Sequence, residues 1–192
     1  MLVFSEYQTD TIDLALDFYG YEDCPKNYEF GPSVRDNFVL HFITEGKGVF
    51  HFNKKEIHLE AGDLFLLPKN MVTYYKADAE EPWSYYWIGI SGTKVSDFMR
   101  FSTLHEKGFL KKTEAETEKI GQFMEQLVHK AEASKMTSHY QLHLLSQIYE
   151  LLYLIGEVAP NIQKSYLSPT YQLYLTCKHV IETHYGKEHL SI

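Results

Sequence analysis

The chain has 192 residues, 44% of them hydrophobic and 23% charged, which is the composition of a globular protein able to bury a core without disulfide or metal staples. Its net charge of −8, from 26 Asp and Glu against 18 Lys and Arg, argues against a surface that tracks nucleic-acid phosphates by itself. No apolar run is long enough to cross a bilayer, and the apolar start Met1–Phe4 gives way at once to Ser5-Glu6, so neither a signal peptide nor a membrane span is expected.

Only Cys24 and Cys177 are present, far apart and without Cys-x-x-Cys spacing, which fits a reducing cytoplasm. Aromatic residues are the unusual component: 15 Tyr, 12 Phe and 2 Trp suit a lined polar pocket or an interface.

Between about 27 and 91 the chain is cut into short strand-like runs: Phe38–Thr44, Val49–Asn53, Glu56–Glu60, Leu64–Pro68, Val72–Lys76 and Tyr85–Ile90. Runs near Ile12–Tyr19 and Tyr28–Phe30 complete the set. The connections are brief: Glu45-Gly46-Lys47-Gly48, Lys54-Lys55 and Ala61-Gly62-Asp63 have the composition of hairpin turns. Lys54, Lys55, Glu56, His58 and Glu60 are expected to protect a sheet edge with charge. This cadence predicts a β-sandwich or small barrel.

After Gly92 the hydrophobic period changes from two to about 3.6. Thr113-x-x-Glu116 is a capping box, and Ile120, Phe123, Met124, Leu127, Val128 and Ala131 then form one apolar stripe suited to covering a sheet. A second capping box, Ser138-x-x-Gln141, starts a helix over 138–158 that Pro160 stops. That helix carries two stripes. Leu142, Leu145, Tyr149, Leu152 and Tyr153 fall on one side, and Leu144, Ile148, Leu151, Ile155 and Val158 on nearly the opposite side. One stripe packs on its own domain, and the other is expected to meet the same helix of a second copy, giving a homodimer. The alternative is a helix buried on both sides within one chain.

Residues 161–167 read as a polar connector. Ser168-Pro169 then opens a helix over Tyr171–Tyr185, Gly186 ends it, and Leu190-Ser191 has the pattern of a staple and N-cap for a further helix. This pattern predicts that the chain is a fragment of a longer protein.

Several chemistries are poorly supported. His139 and His143 stand at helical i, i+4 without an intervening Glu, and no His-x-His occurs, so metal binding has little basis. His51 and His58 alternate with Lys and Glu as solvent-facing residues do. Cys24 precedes Pro25 with no identifiable base, and Gly46-Lys47-Gly48 leads into a strand, not a phosphate-binding helix. Strand parity supports something else. Tyr85 and Trp87 share one face of their strand, Arg35 and His41 share a face along an extended run, and Tyr74 joins them if its strand is adjacent. Aromatic faces with Arg, His and phenol groups between them are what a polyhydroxylated ligand such as a sugar requires. The competing reading makes the same residues core or interface packing.

Four stretches in order, Gly31-Pro32-Ser33-Val34-Arg35-Asp36 leading into Val39-Leu40-His41-Phe42, Gly46-Lys47-Gly48, Ala61–Pro68, and Pro82–Ile88, resemble the arabinose-regulator (AraC/XylS) family of bacterial transcription factors, especially its sugar-utilisation branch. Val180–Tyr185 followed by Leu190-Ser191-Ile192 resembles the first helix of that family's double helix-turn-helix domain. The resemblance implies an α+β fold, a cupin-like antiparallel β-barrel (jelly roll or double-stranded β-helix) followed by C-terminal helices. Its implied divisions are an effector-binding barrel over 1–92, a helical dimerisation segment over 93–160, a linker over 161–168 and the first helix of a DNA-binding domain over 169–192. Positions matching Tyr74, Tyr85 and Trp87 line the effector pocket in arabinose-binding relatives, and an arm around Phe4–Thr9 closes over it in some of them. The expected protein is a non-enzymatic sugar sensor, without cofactor, that meets DNA only through a domain beyond this chain. Thr73 stands where metal-dependent cupins place a ligand His, which disfavours their chemistry. The rival expectations are a metal-independent cupin epimerase or isomerase using His41 and a tyrosine, and a dimerisation module whose cavity is filled by its own side chains.

Overall fold

The computed structural model describes residues 13–133, 138–162 and 169–184. The chain divides into two compact units, one reaching to Asn161 and one from Ile162 onward. The first unit holds β1 (Ala15–Asp23), β2 (Glu29–Val34), β3 (Phe38–Glu45), β4 (Lys47–Phe52), β5 (Lys55–Glu60), β6 (Leu64–Leu67), β7 (Val72–Ala77), β8 (Ser84–Ser91) and β9 (Phe109–Leu110). Its helices are α1 (Val95–Met99), α2 (Leu104–Lys107), α3 (Thr117–Ala133) and α4 (Ser138–Val158).

The strands form two antiparallel sheets, ordered β1-β8-β3-β6-β9 and β2-β7-β4-β5. This alternation of strands between facing sheets is the cupin jelly roll. Of the two forms expected, sandwich or small barrel, the sheets take the sandwich: among the described residues no continuous ladder joins them, and on the sheet side an isolated bridge, Lys47 to Pro82, lies outside them. The β4–β5 turn centres on Asn53-Lys54 and not on Lys54-Lys55. Both residues have positive φ, 51° and 62°, as a two-residue hairpin twisting with its strands requires, and Asn tolerates that conformation well. Lys55, Glu56, His58 and Glu60 do lie on an edge strand, β5, and are exposed.

Period-two alternation in β3, β6 and β8 splits the core in two. Phe38, Leu40, Phe42, Leu64, Leu66, Tyr86, Ile88 and Ile90 point to one face of the five-stranded sheet and meet the helices. Val39, Ile43, Phe65, Leu67, Tyr85 and Trp87 point to the other and meet Phe50, Phe52 and Tyr75 of the facing sheet. The sheet is covered on both faces, so its central strands read as nearly continuous apolar runs. At about 1.5–3 kcal/mol for each large apolar side chain fully buried, both layers contribute heavily to stability.

Helix α3 lays Ile120, Met124, Leu127, Val128 and Ala131 on this sheet. It begins at Thr117, later than a cap at Thr113 would place it. Asp63 accepts the Lys112 amide at 2.9 Å and the Gly62 carbonyl accepts the Thr117 hydroxyl at 2.6 Å, so the preceding segment is tied to the β5–β6 turn instead. The short α1, α2 and β9 interrupt what the period predicted as purely helical sequence. The helices and the sheet share one core within the unit that reaches to Asn161.

In α4 the stripe Leu144, Ile148, Leu151 and Ile155 is buried, while Leu142, Tyr149 and Tyr153 are exposed at 70%, 46% and 61%. Leu152, expected on the exposed side, is 7% exposed and belongs to the core. The second unit contains α5 (Pro169–His184), with Tyr171, Leu173, Tyr174, Val180 and Ile181 exposed. The connector beyond Ile162, the cap at Ser168, the Leu190-Ser191 pattern and the Phe4–Thr9 arm lie outside the described residues. No helix among the described residues is long and apolar enough to cross a membrane.

Candidate binding pocket

A cavity of about 160 Å³ opens between the sheets, lined by Phe18, Glu22, Tyr28, Phe30, Arg35, Val39, His41, Tyr75, Tyr85 and Trp87. Arg35, His41, Tyr85 and Trp87 thus line one cavity; strand parity accounts for His41, Tyr85 and Trp87, whereas Arg35 reaches it from the β2–β3 connection and not from an extended run shared with His41. The register shows why: His41 pairs with Trp87 across β3 and β8, and Tyr85 lies two residues before Trp87 on the same face.

Tyr74 does not join them. In β7 the inward positions are Thr73, Tyr75 and Ala77, and Tyr74 points to the outer face, where its hydroxyl donates to Glu29 Oε2 at 2.8 Å and its ring meets His51. Tyr75 takes the inward place. Period-two reading of Val72–Ala77 alone could have chosen it, since Thr73 and Ala77 are the small residues of a buried face. Glu22, near the end of β1 beyond its register shift, and Tyr28, just after the turn at Lys26-Asn27, carried no such signal.

Arg35 sits in the β2–β3 connection, half-buried, with its guanidinium carbon 4.8 Å from the Phe30 ring centre and 5.7 Å from that of Phe18. The aromatic rings fix the planar group by cation–π contact. Its Nε is buried without a hydrogen-bond partner among the described residues. His41 is 3% exposed, stacked on Phe65 at 4.4 Å and 6°, with Tyr85 edge-on at 4.9 Å. Its Nδ1 also lacks a hydrogen-bond partner among the described residues. Burial first, and the nearby Arg35 charge second, hold its pKa down at about 3, so the ring is neutral near pH 7.

Burial likewise pushes the phenols of Tyr75 and Tyr85 well above their ordinary range, and their hydroxyls lie 3.2 Å apart. Burial also raises Glu22 and Tyr28. The Cys24 thiol, 3% exposed, is pushed up to about 12 by burial, so it remains protonated and is no nucleophile. Chemically, the cavity offers aromatic faces, one fixed cation, the Glu22 carboxyl and several hydroxyl and imidazole hydrogen-bonding groups.

Thr73 is buried at the position where a ligand His would stand, and no three His, Cys, Asp or Glu side chains converge as a metal site among the described residues. His139 and His143 are exposed, as are His58 and its partner Glu56.

The AraC-like ligand binding domain family matches residues 15–152. The Msm operon regulatory protein of Streptococcus mutans is 35% identical over 185 residues, covering 96% of this chain and 66% of that protein. The raffinose operon transcriptional regulatory protein RafR of Pediococcus pentosaceus is 42% identical over 100 residues, covering 50% of this chain and 36% of that protein. The chain therefore spans about two thirds or less of the length of these relatives. Among solved structures, the Cnp3 cupin domain of Schizosaccharomyces pombe matches with a TM-score of 0.39 and 15% identity, over 50% of this chain and 69% of that one. With the family matched over most of its length, and with a jelly roll enclosing an aromatic cavity, the chain belongs to the AraC-like ligand binding domain family.

Proposed function

We propose that this chain is the effector-sensing and dimerisation part of a bacterial, cytoplasmic transcription regulator that binds a sugar between its two sheets and controls carbohydrate-utilisation genes. The observation that carries this reading is the Arg35 side chain, held between two rings at the cavity with its Nε unpaired. A buried donor without a partner costs about 1–3 kcal/mol, and a ligand oxygen would satisfy it. Trp87, Tyr85, Tyr75 and His41 would supply the stacking face and further hydrogen bonds. The relatives, an operon regulatory protein and a raffinose operon transcriptional regulator, point the same way.

Acid–base chemistry on the sugar has less support. A histidine with a pKa near 3 is a weak base at neutral pH, and phenols raised by burial are weak acids, while efficient proton transfer wants a pKa near the working pH.

The exposed face of α4, with Leu142, Tyr149 and Tyr153, is the proposed dimer contact, and α5 the first helix of the DNA-reading domain. The sugar would act by binding one arrangement of the dimer better than another.

Thermal unfolding against raffinose, galactose, glucose and fructose tests the sensor reading. A bound sugar at about 100 times its Kd adds about 2.7 kcal/mol, and Trp87→Ala is expected to remove the shift. No shift with any sugar, in a chain that is folded and dimeric, would sink it.

A further inference from the structure

The floor of the pocket consists of two glycine–aromatic pairs across β1 and β8. In the strand register Phe18 faces Gly89 and Gly20 faces Trp87, so each ring lies opposite a residue without a side chain. A register shift between Leu16 and Phe18 turns Phe18 inward to reach this position. Each ring lies across its glycine: a Cβ on Gly20 would stand 2.7 Å from Trp87 Cζ2 and 3.0 Å from Cε2, and one on Gly89 would collide with the Phe18 ring. The two rings then meet at 5.3 Å and 60°, edge to face.

Neither glycine is required by the backbone. Neither has a positive φ, unlike Gly31, Gly46 and Gly62, and glycine inside a strand is otherwise unfavourable. The contact that explains Gly20 is the indole.

We propose that Gly20 is a positioning residue for effector binding: its missing side chain lets the Trp87 indole lie flat along the sheet as a stacking floor, and so sets the depth of the pocket. A methyl group at position 20 displaces the indole, because the colliding atoms run from Cζ2 of its six-membered ring through the fusion carbon Cε2 to Nε1, which would stand 3.3 Å away. With the sheet beneath and Phe18 beside it, the ring has the cavity to move into. The cavity has no slack for this: about 160 Å³ is roughly half of the ~300 Å³ at which ordinary ligand pockets begin. A flat floor in so small a space selects ligands that present one broad C–H face. The inference rests on the sugar-binding reading above.

The test compares wild type, Gly20→Ala, Trp87→Phe and the double variant in the whole chain, with raffinose, galactose, glucose and fructose as probes. Gly20→Ala is expected to weaken sugar binding tenfold or more and to move the Trp87 indole N–H resonance, assigned by its loss in Trp87→Phe, while leaving that of Trp83 in place. A phenyl ring carries no atom at the place of Cζ2, the indole atom nearest position 20, so the double variant is expected to bind no more weakly than Trp87→Phe alone. Gly20→Ala affinity within twofold of wild type, or losses that multiply in the double variant, would overturn the proposal. Should Gly20→Ala fail to fold, Trp87→Phe and the double variant decide it: equal affinity supports it and a further loss refutes it. If wild type binds none of the four sugars, the sensor reading falls and this inference with it.

Discussion

The hydroxyls of Tyr75 and Tyr85 meet at 3.2 Å across the interior of the sandwich, one carried by β7 and the other by β8 of the facing sheet. Both phenols are buried; Tyr75 has Tyr85 as its hydrogen-bond partner, while Tyr85 also meets the Cys24 thiol. Tyr85→Phe is expected to lower stability by about 1–3 kcal/mol in urea unfolding, by leaving Tyr75 unsatisfied. Tyr75→Phe combined with Tyr85→Phe should cost less than the sum of the single changes, and strict additivity would show that the pair is not coupled.

His41 links stability to pH. Its ordinary value of 6.5 applies to the unfolded chain, and burial brings it to about 3 in the folded one. Between these values the unfolded chain holds a proton that the folded chain lacks. Stability is therefore lost as pH falls through this window, by up to ~1.4 kcal/mol per pH unit. His41→Phe, which keeps the stacking on Phe65, is expected to flatten the dependence of the urea midpoint between pH 6.5 and 4. Equal slopes for the two proteins would contradict the assignment.

Tyr74 and Tyr75 are adjacent in sequence and opposite in environment. Tyr74→Phe removes an exposed hydrogen bond to Glu29 and should change stability by no more than ~0.5 kcal/mol, with sugar affinity unchanged by calorimetric titration. Tyr75→Phe is expected to weaken sugar binding by about 0.5–1.5 kcal/mol. The reverse order would mean that the pocket lies on the outer face of β7.

Helix α4 separates folding from association. Leu152→Ala opens a cavity in the core and should cost about 2–5 kcal/mol of stability. Tyr153→Ala, one residue later and 61% exposed, should leave unfolding within ~0.5 kcal/mol and reduce the dimer fraction in sedimentation velocity. A sedimentation profile identical to wild type would remove Tyr153 from the proposed contact.

Much of the fold was legible because its signals are local. Hairpin residues such as Gly46 and Gly62, both with positive φ, punctuate strands whose parity is readable one residue at a time, so β3 to β8 fall close to where alternation places them. The β1 boundaries were less legible, since this strand runs from Ala15 to Asp23 and shifts register midway, which breaks the alternation that would reveal it. Leu152 was misplaced for a related reason: on a helix covering a sheet, the width of the buried face depends on the neighbouring α3 and the sheet, not on angular position alone.

By itself the sequence determined the period of each segment and the inward pairing of Tyr85 with Trp87, because side-chain direction along a strand or helix follows from backbone geometry. Tertiary structure decided which strand lies opposite which, and hence that Tyr75 and not Tyr74 faces His41, and that Trp87 rests on Gly20. Those outcomes depend on register between strands distant in sequence, where a shift of one residue reverses every side chain, and no local pattern encodes that choice.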